Sequence, residues 1–441
     1  MIQRCLLIAD DLTGGADAGA QFAKMGLNNL LIFWKDNAKF DFSKYTHQDV
    51  LVVNTDTRGL SPEKASSLIS NLFKNYDKEL FPIIYKKIDS TLRGNIGYEI
   101  DAILKETNGA LCFMAPSYPE QNRTLVGGIM IVEGKPLALT EVARNTPSPV
   151  QESHVYKLLK QQSQNSVGWI DLTHVASSCE KLLKAVEKEQ KKGTQIIIFD
   201  AVSRQDLANV AEVGFSLKRI PLFVGSAGLA EEVAKKITPS KSKSSESLKQ
   251  TEKIFKHIFI IGGTTSSVTH QQLKRIEQRR IPVYQLNKTL LFIDDNRVQN
   301  GKKDLSKKIA NSLSRGMVIL KTTSEMVQSK GSKDLPIHLK ITKTLAEIAI
   351  SGLEQSKVDA HDLALILTGG DTAQSVINTL GASGIEIEDE LLGGIVKGHL
   401  TGGNWDGLSV ITKAGAFGKE DALDKIINIL ETGTSFHKEE E

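Results

Sequence analysis

The chain has 441 residues, which is enough for two or three domains of ordinary size. Its 55 basic and 52 acidic side chains give a net charge of +3, so the sequence offers no electrostatic case for a nucleic acid or a membrane surface as a partner. No apolar run approaches the ~18 residues that cross a bilayer, and we expect a cytoplasmic protein. Cys5, Cys112 and Cys179 stand far apart and predict reduced core thiols. The nine histidines lack metal-ligand spacing and predict no metal site.

Short apolar runs followed by helical periodicity recur along the chain, a pattern typical of an α/β fold. Because these runs are almost continuously apolar, they indicate mainly parallel sheets covered by helices on both faces, a three-layer αβα architecture. The predicted strands span residues 4–9, 49–54, 110–115, 195–200, 222–225, 257–262, 316–321 and 363–368.

A segment rich in Ser and Lys separates the first five of these strands from the last three. Leu248 is its only large apolar side chain, so the segment predicts a linker between two domains. A homodimer is the default expectation for the assembly. The predicted parts are a first domain at 1–236, a linker at 237–253, a second domain at 254–430 and a charged tail at 431–441.

The first strand leads into D10-D-L-T-G-G15, where two carboxylates precede paired glycines and a helix predicted over 16–25. The G-x-G-x-x-G fingerprint is absent, and a Walker A-like glycine spacing lacks its lysine, so a phosphate would meet two uncompensated negative charges. Beyond the carboxyl end of a strand, Asp10 and Asp11 suit ligand hydroxyls or Mg²⁺. The alternative is a solvated turn with an aspartate near a helix start.

Polar clusters also follow other predicted strands of the first domain, at 54–58, 85–95 and 115–124. Their cations would bind an anionic substrate, with Arg favouring a carboxylate, and their carboxylates would accept hydrogen bonds from hydroxyls. A small polyhydroxy acid satisfies both sets, whereas a structural ion-pair network is the competing explanation. The candidate substrate-binding residues here are Asp56, Arg58, Lys86, Lys87, Asp89 and Arg93.

Two turns of the second domain combine glycines with hydroxyl side chains before a helix, at 262–269 and 367–375. Such turns allow backbone N–H groups and a helix N-terminus to approach an anion closely. The segment 413–418 adds Gly415. Packing glycines explain any one of these features equally well.

Together the motifs A-D-D-L-T-G at 9–14, K-K-I-D-S-T-L-R-G-N at 86–95, G-G-T-T-S-S-V-T at 262–269, L-T-G-G-D-T-A at 367–373 and K-A-G-A-F-G at 413–418 carry a resemblance. Over nearly its whole length, the chain resembles the four-carbon acid sugar kinase family. Members use ATP to phosphorylate the 4-hydroxyl of D-threonate, D-erythronate or 3-oxo-tetronate. The resemblance implies an N-terminal substrate domain, a C-terminal nucleotide domain, and Mg²⁺ carried with ATP.

By motif position, the resemblance places substrate contacts at Asp10, Asp11, Lys86 or Lys87, Asp89 and Arg93. The implied nucleotide contacts are Thr264, Ser266, Gly369, Gly370, Asp371, Thr372 and Gly415. In the turn at 262–266 the sequence is Gly-Gly-Thr-Thr-Ser where the family pattern is of the Ser-Gly-Ser-Cys-Ser type.

Phosphoryl transfer needs the acceptor hydroxyl in line with the γ-phosphate. It also needs neutralisation of the charge that develops during transfer, and two domains closing on each other would provide both. The first candidates for the catalytic base are Asp11 and Asp89, with Asp371 as their competitor. A non-catalytic two-domain binding or sensor protein for a small hydroxy acid is the alternative function. An α/β oxidoreductase is disfavoured because no G-x-G-x-x-G follows a strand.

Overall fold

A computed structural model describes residues 3–34, 40–109, 111–144, 149–238, 253–263, 266–287, 289–292, 296–322 and 337–434. The chain divides into two compact units, residues 1–244 and 245–441. Most of the predicted linker at 237–253 and residues 435–441 of the predicted tail lie outside the described residues.

The first unit contains a large sheet, a small antiparallel sheet and surrounding helices. Its strands are β1 Cys5–Ala9, β2 Asn29–Phe33, β3 Val50–Asn54, β4 Ile83–Lys87, β5 Cys112–Ala115, β6 Arg123–Val126, β7 Ile129–Val132, β8 Lys135–Pro136, β9 Val167–Ile170, β10 Ile196–Phe199 and β11 Leu222–Gly225. Its helices are α1 Leu12–Ala23, α2 Pro62–Phe73, α3 Ile96–Glu106, α4 Glu141–Arg144, α5 Val155–Gln162, α6 Leu172–Val175, α7 Cys179–Lys191, α8 Arg204–Ser216 and α9 Ala227–Ile237.

The large sheet of this unit runs in the order β2-β3-β1-β4-β11-β5-β10-β9, and every neighbouring pair is parallel. Strands β1, β3, β4 and β10 are buried at every position, so both faces of the sheet are covered. The strand order reverses about β1, which has β3 on one side and β4 on the other. Ligands of open α/β sheets bind outside the carboxyl ends of strands at such a point.

The helix after β1 begins earlier than the sequence predicts, at Leu12 rather than near residue 16. Asp11 is its N-cap and accepts a hydrogen bond from the backbone N–H of Gly14 at 3.1 Å. Gly14 and Gly15 therefore lie inside the helix and do not form a turn. At Gly15 a Cβ atom would lie 3.0 Å from the side chain of Ala9, so this glycine permits close packing of helix on sheet.

One of the three cysteines departs from the prediction. Cys5 and Cys112 are buried in their strands, and burial raises the pKa of each thiol. Cys179 is exposed because it is the first residue of α7, directly after the N-cap Ser178. The description of all three as core thiols is therefore wrong for Cys179.

The second unit has a mixed sheet in the order β13-β14-β12-β15-β18-β17-β16. Neighbouring strands from β13 to β18 are parallel, while β17 is antiparallel to both β18 and β16. The strands are β12 His257–Gly262, β13 Val283–Gln285, β14 Met317–Lys321, β15 Leu363–Thr368, β16 Gly384–Leu392, β17 Ile395–Thr401 and β18 Ser409–Lys413. The helices are α10 Ser267–Glu277, α11 Thr289–Phe292, α12 Asn296–Leu313, α13 Ile337–Ser356, α14 Gly370–Leu380 and α15 Ala422–Thr432.

The α/β fold with mainly parallel sheets in two domains is confirmed, and each predicted strand is present to within two residues at either end. Across the part of the chain that the structure describes, no helix is both long enough and apolar enough to span a membrane.

Candidate functional site

The carboxyl ends of β1, β3 and β4 bring together a group of charged side chains, which we call the strand-end cluster. Its members are Asp10, Asp11, Arg58, Lys86, Lys87, Asp89, Arg93, Glu99 and Arg123. Three stretches of sequence, at 10–11, 58 and 86–99, meet because β1, β3 and β4 are adjacent and parallel, and Arg123 at the start of β6 joins them through the hydroxyl of Ser90. Five cations face four carboxylates, so the cluster carries a small excess of positive charge.

Arg58 holds both aspartates that follow β1. Its guanidinium donates from Nε to Asp10 Oδ2 at 2.8 Å and from Nη2 to Asp10 Oδ1 at 2.9 Å, and the same Nη2 lies 2.6 Å from Asp11 Oδ1. Burial by itself raises the pKa of Asp10, but Arg58, Lys86 and Lys87 outweigh it and the pKa lies below its ordinary value. Asp10 is therefore an ionised carboxylate in a fixed orientation, suited to accept hydrogen bonds.

Asp89 and Arg93 form a second bidentate pair. Nε of Arg93 lies 2.5 Å from Asp89 Oδ2, and Nη2 lies 3.1 Å from Oδ1. Thr91 also donates its hydroxyl to this carboxylate. Burial raises the pKa of Asp89, yet Arg93 and Arg58 hold it well below its ordinary value. Asp89 is thus ionised and receives several donors.

The two adjacent lysines of β4 have different surroundings. Lys86 is paired with Glu99 at 2.7 Å, and both side chains are 1% exposed. Burial raises the pKa of Glu99 against the opposing effect of Lys86. The amino group of Lys87 donates to the carbonyl oxygen of Ile88 at 2.9 Å, and among the described residues no carboxylate forms an ion pair with it. Lys87 is also buried.

Three features of the cluster have no counterpart among the predicted site residues, namely Glu99, described above, Arg123 and Gly94. Arg123 is buried and donates to the hydroxyl of Ser90, and burial lowers its pKa. Gly94 has a φ of +97°, and its backbone lies against the Asp10 carboxylate, since a Cβ atom there would be 3.1 Å from Oδ2. Arg123 lies in the polar segment noted at 115–124, but nothing in its spacing marks it. Asp56, a predicted contact, is exposed on the turn after β3.

The second unit brings its glycine turns together at the carboxyl ends of β12, β15 and β18. At Gly263 a Cβ atom would collide with Oγ1 of Thr372, so the turn after β12 touches the start of α14. The N–H of Gly369 donates to the carbonyl of Lys413 at 2.8 Å. Oγ1 of Thr269 donates to the carbonyl of Gly415, also at 2.8 Å.

The predicted nucleotide-binding residues occupy this region in different ways. Ser266 is the N-cap of α10, and Gly369 is the N-cap of α14 with a φ of +93°. Gly370 and Asp371 begin α14, where Asp371 is exposed, while Thr372 is buried. Thr264 lies outside the described residues.

Within the described ranges, no group of three or more His, Cys, Asp or Glu side chains is arranged to hold a metal ion.

Family models match both units. Residues 5–233 match the sugar-binding N-terminal domain, and residues 259–423 match the nucleotide-binding C-terminal domain. The chain belongs to the four-carbon acid sugar kinase family. The resemblance in the sequence motifs is thereby confirmed.

Relatives of known name agree with this assignment. A D-threonate kinase from Salmonella typhimurium is 28% identical, covering 95% of this chain and 96% of the relative. A D-erythronate kinase from Heliobacterium modesticaldum is 27% identical, covering 98% of each chain. A solved structure of a Salmonella typhimurium protein shares the fold with a TM-score of 0.77 at 21% identity, covering 95% of this chain and 97% of the other. The named relatives support a kinase role, that of a phosphotransferase, for this family member.

Proposed function

We propose that the chain is an ATP-dependent kinase that phosphorylates the 4-hydroxyl of a four-carbon acid sugar, D-threonate, D-erythronate or 3-oxo-tetronate. The first unit would bind the acid sugar and the second would bind ATP with its Mg²⁺. Lys87 is the observation that carries the proposal. It is buried near Asp10 and forms no direct ion pair among the described residues, so a substrate carboxylate would give it a direct partner.

The carboxylates of the cluster suit the hydroxyls of such a substrate. Asp10 and Asp89 have lowered pKa values, so both accept hydrogen bonds at neutral pH. Their bidentate arginines, Arg58 and Arg93, fix their orientation and restrict the positions of the acceptor hydroxyls. A small acid with several hydroxyls matches this set of groups.

For the transfer itself, we propose that Asp11 or Asp89 orients the 4-hydroxyl and receives its proton. A weak base suffices, because the transition state of phosphoryl transfer is loose and asks mainly for position and charge neutralisation. Ser266, the start of α14 at Gly369–Thr372 and Gly415 would hold the nucleotide through backbone N–H groups and hydroxyls. Asp371 is the competing base from the second unit.

The decisive experiment incubates purified protein with ATP, Mg²⁺ and each of the three acid sugars, and measures ADP release. Phosphorus NMR of the product then identifies the phosphorylated oxygen. We expect ADP release with at least one acid and a phosphate on O4. If folded protein releases no ADP with any of them, the kinase assignment fails. Acid binding without turnover would support the alternative of a sensor protein.

A matched pair of variants tests the role of Lys87. Lys87→Met removes the buried cation, and Lys105→Met removes an exposed lysine from the end of α3 in the same unit. We expect the first variant to raise the KM for the acid sugar by roughly tenfold to a hundredfold, because a charged hydrogen bond is lost. The second variant should behave like the wild type.

A further inference from the structure

Lys413, the last residue of β18, is a buried cation that lacks a counter-charge. Its side chain is 0% exposed. The amino group donates to Thr269 Oγ1 at 3.0 Å and to the carbonyl oxygens of Ala414 at 3.1 Å and Gly415 at 3.4 Å. All three acceptors are neutral, and within the described part of the chain no carboxylate pairs with Lys413.

Burying an ammonium group without an opposite charge is costly, and burial lowers the pKa of Lys413 to about 7. A neighbouring strand offers a direct contrast. Lys397 on β17 is almost as deeply buried, but its amino group lies 3.0 Å from Glu388 Oε1. The sheet thus provides a carboxylate for one buried lysine and none for the other.

A buried hydroxyl group without a hydrogen-bond partner among the described residues lies beside Lys413. In the sheet register Lys413 is opposite Thr368, and Thr368 is opposite Gly262. Because paired residues of parallel strands project to the same face, the two side chains share one face of the sheet, next to a position that has no side chain. Oγ1 of Thr368 is fully buried and has no hydrogen-bond partner among the described residues. The first turn of α10 covers this face through Thr269.

We propose that Lys413 and Thr368 bind a phosphate oxygen of the nucleotide, with Lys413 as the cation that neutralises the phosphate chain. This inference rests on the proposed function and assigns its phosphate contacts. A phosphate oxygen would supply both missing partners at once, a negative charge for the ammonium group and an acceptor for the hydroxyl. It would also lie near the N-terminus of α10, where the helix dipole favours an anion.

The test measures binding of ATP and of adenosine to the full chain by isothermal titration calorimetry. Lys413→Met keeps the length of the side chain and removes its charge, while Lys397→Met is the control from the neighbouring strand. We expect Lys413→Met to weaken ATP binding by roughly tenfold to a hundredfold and to leave adenosine binding unchanged. The control should bind ATP as the wild type does.

Melting temperatures without nucleotide separate a ligand-binding lysine from a structural one. Loss of an uncompensated buried charge should leave the melting temperature of Lys413→Met equal to or above that of the wild type. A lower melting temperature together with unchanged ATP affinity would show that Lys413 only holds its own loop, and would overturn the proposal. If Lys413→Met fails to fold, Thr368→Val tests the proposal instead, because valine has the shape of threonine and lacks its hydroxyl. Unchanged ATP affinity of Thr368→Val would also overturn the proposal.

The same titrations distinguish the two proposals. Wild-type protein that does not bind ATP would overturn both the proposed function and this inference. If the wild type, Lys413→Met and Thr368→Val all bind ATP equally well, this inference is refuted and the proposed function stands. Weaker ATP binding by both variants, with adenosine unaffected, supports the assignment of Lys413 and Thr368.

Discussion

Replacement of the two adjacent lysines of β4 by methionine should have opposite consequences. Lys86→Met leaves the Glu99 carboxyl group buried without its counter-charge, whereas Lys87→Met removes a cation that no carboxylate pairs with among the described residues. Breaking one partner of a buried pair costs about 3–5 kcal/mol. Because burial already raises the pKa of Glu99, the orphaned carboxyl group can take up a proton, and we expect a loss near the lower end, about 3 kcal/mol.

That loss can be measured as a shift in melting temperature. In a domain of this size 1 kcal/mol corresponds to about 2–4 °C, so Lys86→Met should melt about 6–12 °C below the wild type. Lys87→Met should change stability by less than about 1 kcal/mol and instead weaken acid-sugar binding. Calorimetry of both variants at pH 7, followed by titration with the acid sugar, gives the two quantities.

A double variant provides the control. Lys86→Met combined with Glu99→Met replaces the whole pair by apolar side chains, which is often nearly neutral for a buried ion pair, so most of the lost stability should return. If the double variant melts as low as the single one, the instability does not come from an uncompensated carboxyl group. Equal destabilisation by Lys86→Met and Lys87→Met would also refute the distinction between the two lysines.

Asp89→Ala should abolish turnover while ATP affinity, measured by calorimetry, stays near that of the wild type; loss of ATP binding would contradict the placement of Asp89 in the substrate site. Gly94→Ala forces a side chain into a backbone with φ of +97° and towards Asp10, so its melting temperature should fall by the equivalent of about 1–3 kcal/mol and acid-sugar affinity should drop. Without nucleotide, the free energy of unfolding of the wild type relative to Lys413→Met should rise by about 1–2 kcal/mol from pH 7 to 8.5. The reason is that Lys413, with a pKa of about 7, loses its proton in the folded chain while an unfolded lysine, with a pKa of about 10.4, keeps it. Urea titrations that give the same difference at both pH values would refute this.

The apolar strands could be predicted because their residues are buried on both faces, which leaves a direct mark in the sequence. The start of α1 was harder to predict. Glycines at 14 and 15 favour a turn by intrinsic preference, and only the tertiary contact of Gly15 with Ala9, together with the cap from Asp11, explains why the helix includes them.

The site could be predicted as a set of residue types but not as a set of pairs. Alternation along a strand places Lys86 and Lys87 on opposite faces, yet nothing local indicates that Glu99 on α3 would pair with Lys86. Arg123 and Lys413 escaped prediction for a related reason. The burial of a charged side chain is a property of its folded surroundings, and the residues next to these two in the sequence do not indicate it.

Because Cys179 is exposed while Cys5 and Cys112 are buried, the chain has one cysteine that a thiol reagent can reach. A maleimide dye at neutral pH should react with Cys179 and leave Cys5 and Cys112 unmodified, since the latter two are buried and their raised pKa values keep them protonated. The unaltered protein could therefore carry one fluorophore at the start of α7 in the first unit.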